Sequence, residues 1–246
     1  MAVLALVFLF QFSVGDTLFF EKDFFNAITE YKRELFRGTE DSLYLLRKIA
    51  LCYLKRNKID EALQYYSELY YYSENINIRH IYALTLIKAG KYFEAVELLE
   101  GLKDSLSLLL KAISLGLEGL YDSSIPLLKT LNYAVPDFLM KEKQYIVYSR
   151  IIPGSGLLLL KEVPLAFGVL SFTGGAIYLT YYYLRRRLYY EAIASAVPLV
   201  LRFYNGGVWD TRSKFKQKAQ NYYKILLRDI ENNLIIQEES LLFNRR

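Results

Sequence analysis

Residues 80–99, which read HIYALTLIKAGKYFEAVELL, decide the fold that this sequence predicts. The stretch contains an apolar helical run, a break at Gly90 and a second run that carries Ala95 in its first turn. The same order occurs upstream around Ala62, which lies 33 residues before Ala95. An earlier half-repeat places Ala27 another 35 residues before Ala62. A nearly constant period of this length indicates stacked helix–turn–helix units.

Small residues recur where the two helices of each predicted unit must approach closely. They precede the turn at Ala50, Ala83 and Ala112, and they follow it at Ala27, Ala62 and Ala95. Gly90 and Gly119 stand in the turns, where a positive φ is easiest for glycine. A last unit is looser, because Ser124 replaces the alanine and Pro126 enters the second helix. We therefore predict an all-α solenoid over residues 16–148.

The period and the alanine positions resemble the tetratricopeptide repeat, whose unit is 34 residues long. The resemblance covers residues 18–135, although another array of antiparallel α-hairpins would also fit the pattern. It implies that a protein or peptide partner binds the concave face formed by the first helices. The implied groove residues are Tyr44, Arg47, Leu51, Lys55, Asn77, His80, Leu84 and Lys88.

Two groove positions depart from the members of this family that clamp a peptide carboxylate. Those members use lysine and asparagine, whereas Leu51 and Leu84 stand here where the clamp asparagine would lie. The resemblance therefore implies a mixed apolar and cationic groove rather than a carboxylate clamp.

The composition excludes several kinds of site. The chain has one cysteine, Cys52, and one histidine, His80, so neither an internal disulfide nor a structural zinc site is expected. No nucleophile elbow or paired metal ligand occurs, and we predict a non-enzymatic protein without a cofactor. Residues 1–150 have a net charge of −1 and residues 151–246 one of +6. Because the basic half is also the apolar half, it favours membrane lipid over nucleic acid.

The chain begins with an apolar stretch, residues 2–14, that is too short to span a bilayer comfortably. The small residues Ser13 and Gly15 follow with the spacing that a signal peptidase favours. We interpret residues 1–15 as a signal peptide cleaved after Gly15, although no Lys or Arg precedes the apolar stretch. The alternative interpretation is a first, buried helix of the solenoid.

The C-terminal half contains a predicted membrane hairpin over residues 149–208. Val163–Tyr183 carries no charge and is long enough to cross the hydrocarbon core. The arginines 185–187 follow as a cytoplasmic stop. Ala192–Leu201 would form the second span, unless residues 189–205 lie in the membrane interface and the chain crosses only once.

Residues 209–246 are predicted to form a basic amphipathic helix and a tail, because apolar residues recur there at helical spacing. Lysines occupy its remaining faces between positions 214 and 224.

A glycine-rich element stands before the predicted hairpin, with Pro153, Gly154 and Gly156, and Phe203-Tyr204-Asn205 and Gly207 follow the second apolar segment. This order resembles a group of uncharacterised bacterial membrane proteins with a Pro-Gly-x-Gly element ahead of a hydrophobic hairpin. The glutamine and aromatic residue usual in that group are absent here. The resemblance implies a membrane motif that consists of Pro153, Gly154, Gly156, Gly174 and Gly175.

These features together predict a membrane-anchored adaptor in the bacterial cell envelope. Its repeats would face the periplasmic side of the cytoplasmic membrane and bind a protein partner. The alternative is a subunit of a membrane transport or envelope-biogenesis complex, in which the glycine-rich hairpin is the working part.

Overall fold

The computed structural model describes residues 13–38, 41–73 and 75–243. Within these ranges every regular element is helical and no strand occurs, which confirms the predicted all-α class. Most of the predicted signal segment, residues 1–12, lies outside the described residues. The chain divides into two compact units. One contains the residues up to Leu127 together with those from Ile225 onward, and the other contains Leu128–Lys224.

The first unit is an array of short helices that pack on one another in chain order. Helix α5 (Ile76–Lys88) also packs on α7 (Ser105–Glu118), two elements further along the chain, as stacked repeats do. The helices of the array are α1 (Val14–Phe20), α2 (Phe24–Arg37), α3 (Ser42–Lys55), α4 (Ile59–Tyr72), α5 (Ile76–Lys88), α6 (Tyr92–Leu98), α7 (Ser105–Glu118) and α8 (Tyr121–Thr130).

The residues that the repeat pattern places between paired helices are buried. All six alanines at these positions have no exposed surface. Ser124, which replaces the alanine of the last unit, is also buried, and its hydroxyl donates to the Ala112 carbonyl at 2.7 Å. A serine is therefore tolerated at this crossing because its only polar group has a partner.

Local signals explain where these helices begin and end. The Asp23 carboxylate accepts from the Asn26 amide at the start of α2, and Asp104 caps α7 in the same way. Gly38 and Gly119 end α2 and α7 in the left-handed region, with φ of 66° and 103°. Gly90 adopts a φ of 78° in the turn between α5 and α6, as its position in the repeat predicts.

The second unit contains short helices followed by one long apolar helix. These are α9 (Asp137–Met140), α10 (Glu142–Ile151), α11 (Ser155–Leu159) and α12 (Val163–Arg185). After α13 (Tyr189–Glu191), a π-helical segment over Ala192–Ala196 leads into α14 (Val197–Phe243). Helix α14 contributes its residues up to Lys224 to the second unit and those from Ile225 to the first unit.

The long helix α14 differs from the predicted division at residues 208 and 209. The sequence predicts a second span and a separate amphipathic helix, but the structure has one continuous helix of 47 residues. Gly207 lies inside this helix, where its missing side chain allows close packing. A Cβ atom there would lie 2.6 Å from the Val169 Cγ1 atom of α12. Among the described residues, only α12 is long and apolar enough to cross a membrane, so the hairpin is not confirmed.

The predicted boundary after Gly15 falls inside α1. Ser13 forms a capping box with Asp16, and both ends of that pair are needed to start the helix. Gly15 is buried against α2, where a Cβ atom would lie 2.5 Å from the Tyr31 ring. Residues 13–15 are therefore part of the folded array in this structure.

Candidate partner-binding groove

The predicted groove residues lie on two helices of the array, four on α3 and four on α5. Their spacing of three or four residues places each set along one helix face. The structure brings most of these residues together, but it does not leave them open. Residues 225–243 of α14, which we call the C-terminal segment, lie against this face.

An ion pair at the middle of the groove joins α3 to the C-terminal segment. The Arg47 guanidinium donates to both carboxylate oxygens of Glu238, with Nε–Oε1 at 2.9 Å and Nη2–Oε2 at 2.7 Å. Arg47 is 9% exposed and Glu238 is 2% exposed. A two-pronged pair of this geometry, removed from water, fixes both position and orientation of the helix.

Two further ion pairs hold the C-terminal segment nearer the groove surface. The Lys55 ammonium pairs with Glu239, and the Lys88 ammonium lies 2.5 Å from the Glu231 carboxylate. Glu231 and Glu238 are seven residues apart, which is two helical turns and places them on the same face. The groove cations of both repeats are thus matched by carboxylates of one helix.

Apolar contacts complete the seat of the C-terminal segment. Leu242 has no exposed surface and belongs to the same buried cluster as Leu45, Ile49 and Leu51. The Tyr44 hydroxyl donates to the Leu242 carbonyl. The Phe243 ring lies 4.6 Å from the ring of Phe19, centroid to centroid. Tyr44 therefore contacts the C-terminal segment, and Leu51 belongs to the buried cluster that includes Leu242 of that segment.

The remaining predicted residues belong mainly to the core of the array. Leu84 has no exposed surface, and Asn77 is half-buried in the first turn of α5. His80 is buried, with Nε2 at 2.8 Å from the Ser107 hydroxyl and 3.1 Å from the Asp104 carboxylate. Burial lowers the pKa of His80 although Asp104 opposes the shift. His80 therefore links α5 to the start of α7 as a neutral imidazole.

A buried charge next to the groove escapes the sequence analysis. The Lys48 ammonium lies 2.7 Å from the Asp16 carboxylate and 4.3 Å from the centroid of the Tyr44 ring. The Tyr31 hydroxyl donates to the same carboxylate at 2.8 Å, and burial followed by Asp16 raises the pKa of Tyr31 well above its ordinary value. For the groove cations, the acidic residues of the C-terminal segment, Glu231, Glu238 and Glu239, are a sequence signal of a partner within the chain.

The described residues give no support for metal or thiol chemistry. They contain no group of three or more His, Cys, Asp and Glu side chains that could hold a metal ion. Burial raises the pKa of the Cys52 thiol to about 12, which keeps it protonated and unreactive at neutral pH.

The predicted membrane motif divides into two parts in the second unit. Gly154 has a φ of 85°, and a Cβ atom on Gly156 would lie 2.4 Å from the Ser149 hydroxyl. The Gly156 amide donates to Ser149, which bonds Thr211 at 2.7 Å. By contrast, a Cβ atom at Gly174 or Gly175 would meet no atom within 4 Å apart from the backbone of its own helix. The first glycines are thus required for packing, and the last two line an open face of α12.

Comparison with known proteins identifies the repeats. Residues 22–102, which form α2 to α6, match the family model described as anaphase-promoting complex, cyclosome, subunit 3. No curated protein and no solved structure matches the chain. The match supports a tetratricopeptide-type repeat protein, as the alanine spacing predicts. Arrays of this type act as protein–protein interaction scaffolds, and that is the function class supported here.

Proposed function

We propose that this chain is a membrane-tethered interaction scaffold whose concave groove is closed by its own C-terminal segment. The observation that carries the proposal is the buried pair of Arg47 with Glu238, flanked by the pairs of Lys55 and Lys88. A groove that already holds a matched helix presents little open surface to another. Partners then bind to faces of the array that the C-terminal segment leaves exposed.

The covalent link makes this closure effective. A helix held on the same chain competes at an effective concentration on the order of millimolar, so a partner of ordinary affinity displaces it poorly. Removing one side of a buried ion pair also costs about 3–5 kcal/mol, because the remaining charge loses its partner. Groove closure is therefore expected to persist at cellular concentrations of a partner.

The tether in this proposal is α12. Its 23 residues measure about 35 Å along the helix axis, enough for the hydrocarbon core. Large apolar side chains such as Phe172, Ile177 and Tyr178 are exposed along it, as a lipid-facing helix requires. The element Pro153-Gly154-x-Gly156 supports a relation to the bacterial Pro-Gly-x-Gly membrane proteins. The apolar residues 2–14 support export of the repeats to the outer side of the cytoplasmic membrane.

A labelled peptide that copies residues 225–246 tests whether the groove is closed. We expect weak binding to the wild-type full chain in detergent, because its own segment occupies the groove. The double variant Glu238→Arg/Leu242→Asp loosens that segment and should bind the peptide at least roughly tenfold more tightly. The control peptide carries the same two substitutions and should bind neither protein. Equal binding of the native peptide to wild type and variant would disprove closure.

The second unit favours one alternative function. Between α12 and the start of α14 lies a cleft of 390 Å³, lined mainly by apolar residues and glycines but also by Arg202 and Asp210. A cleft of this kind beside the open Gly174–Gly175 face fits a subunit of a membrane transport or envelope complex. This alternative is favoured if Gly175→Leu causes the same defect in cells as deletion of the protein, while the variant chain remains folded and in the membrane.

A further inference from the structure

An open cleft on the outer face of α2 and α3 lies in the first unit. Its volume is 590 Å³, within the range of ligand pockets in proteins. None of the residues that line it takes part in the ion pairs of Glu231, Glu238 and Glu239. Its lining consists of Phe25, Ile28, Thr29, Lys32, Arg33, Phe36, Arg37, Tyr53 and Arg56. We call this site the cationic cleft.

The charged residues that line the cationic cleft are all positive. Four of its nine lining residues are cations, and none of the described lining residues is acidic. Glu30, at the edge, pairs with Arg33 at 2.6 Å and offsets one of these charges. Cations are expected at helix C-termini, which accounts for Arg37 and Arg56. The same rule does not account for Lys32 or Arg33 in the middle of α2.

Aromatic rings form the remaining walls of the cleft. Phe36 is 94% exposed and Phe25 is 62% exposed, so neither ring contributes much to the core. The Arg56 guanidinium lies 5.1 Å from the centroid of Phe25. The Lys32 ammonium donates to the Tyr53 hydroxyl at 3.1 Å, and this bond raises the pKa of Lys32 and keeps it charged. Exposed phenylalanines flanked by cations offer apolar contact area beside positive charge.

We propose that the cationic cleft binds a short acidic peptide segment that carries aromatic or other large apolar side chains. Carboxylates of the segment pair with Lys32, Arg37 and Arg56, and its apolar side chains cover Phe25 and Phe36. A concave site with separate cationic and aromatic surfaces fits a peptide better than a lipid surface, which favours flat or convex basic patches. The proposal deepens the scaffold function, on which it rests, by naming the class of partner.

The probe for this site is a fluorescein-labelled 12-residue peptide with two Glu-Glu-Phe segments in a Gly/Ser background. Anisotropy is measured with the full chain in detergent. We expect saturable binding that weakens with added salt. A matched peptide with glutamine in place of each glutamate should bind at least roughly tenfold more weakly. Equal binding of the two peptides, or none of either, overturns the proposal.

Matched variants locate the binding. Lys32→Gln/Arg37→Gln removes two cations of the cleft and should weaken binding roughly tenfold. Lys103→Gln/Lys129→Gln removes two exposed cations elsewhere and should leave the affinity unchanged. Equal loss in both variants means a net-charge effect only and contradicts the site. Circular dichroism before titration confirms that both variants are folded.

Two controls distinguish peptide binding in the cationic cleft from lipid binding and from peptide binding in the groove. Detergent micelles doped with phosphatidylglycerol, compared with micelles doped with phosphatidylcholine, should not displace the peptide, and displacement would assign the cleft to an anionic lipid surface and overturn the proposal. The variant Glu238→Arg/Leu242→Asp frees Arg47, Lys55 and Lys88 and so adds a second site for an acidic peptide. Adding Lys32→Gln/Arg37→Gln to it should still remove the binding component seen in the wild type, and an affinity unchanged by that addition would assign the probe to the groove and overturn the proposal.

Discussion

Leu242 is the residue that reports most directly on how firmly the C-terminal segment is held. Ion pairs such as Arg47–Glu238 add specificity, but their net stabilisation is small because both charges lose water. Leu242 has no such opposing cost, since its side chain moves entirely from water into the cluster around Leu45 and Leu51. Its neighbour Leu241 is 38% exposed and offers a matched control.

Leu242→Ala should lower the free energy of unfolding by about 2–4 kcal/mol, because it removes buried methyl groups and leaves a cavity. Leu241→Ala should change it by less than about 1 kcal/mol. Denaturant unfolding of the full chain in detergent measures both values. Similar losses in the two variants would mean that the end of α14 is not specifically seated.

Gly156 and Gly175 differ in what surrounds them, and alanine substitution should separate them. Gly156→Ala places a Cβ atom 2.4 Å from both Ser149 Oγ and the Tyr145 carbonyl, so the second unit should lose at least about 1–3 kcal/mol. Gly175→Ala meets no atom within 4 Å and should be neutral or stabilising by up to about 1 kcal/mol. Thermal unfolding of the two variants shows which one is less stable. A lower melting temperature for Gly175→Ala than for Gly156→Ala would contradict this packing.

His80 makes stability depend on pH in a defined direction. Its pKa is lowered in the folded chain by burial, opposed by Asp104 and helped by Arg79. The unfolded chain therefore binds the proton more readily, so stability should fall as pH decreases below about 6.5 and level off below the folded pKa. Unfolding at a series of pH values measures this slope, and His80→Gln should remove its His-dependent part. An unchanged slope in His80→Gln would contradict the assignment.

At the scale of elements, the packing of α1 leads to a prediction about the mature N-terminus. Cleavage after Gly15 would remove the Ser13 cap and place a new ammonium group on Asp16, beside the buried Lys48. Like charges that lie close together in a buried site are unfavourable. We therefore expect that the mature chain keeps residues 13–15. Mass spectrometry of the purified N-terminus checks this, and a mature chain that begins at Asp16 would contradict it.

At the scale of the whole molecule, α12 should be sufficient to anchor the chain. If α12 spans the bilayer as proposed, the wild type should remain in the pellet after alkaline carbonate extraction, which releases proteins held by surface charge alone. Reporter fusions after residues 150 and 187 should report opposite sides of the membrane, the first one outside. A chain that is fully extracted by carbonate, or a cytoplasmic signal at residue 150, would contradict the tether or its orientation.

The repeats could be predicted from the sequence because their determinants are local. An alanine every 33–35 residues, the glycines of the turns at Gly90 and Gly119, and the aspartate caps Asp23 and Asp104 act within one or two helical turns. The candidate site could be predicted only in part. The groove residues on α3 and α5 follow from the repeat, but Lys48, which is buried in a pair with Asp16 on α1, has no signature in that pattern.

By itself the sequence determined the helical class, the period of the array and the apolar helix α12, since each depends on spacing along a short segment. Only the tertiary structure decided that the groove is filled. Arg47 and Glu238 are 191 residues apart in the chain, and nothing local to either one specifies the other. Their pairing follows from burial, because a cation in the groove of the array needs a matched carboxylate when water is excluded.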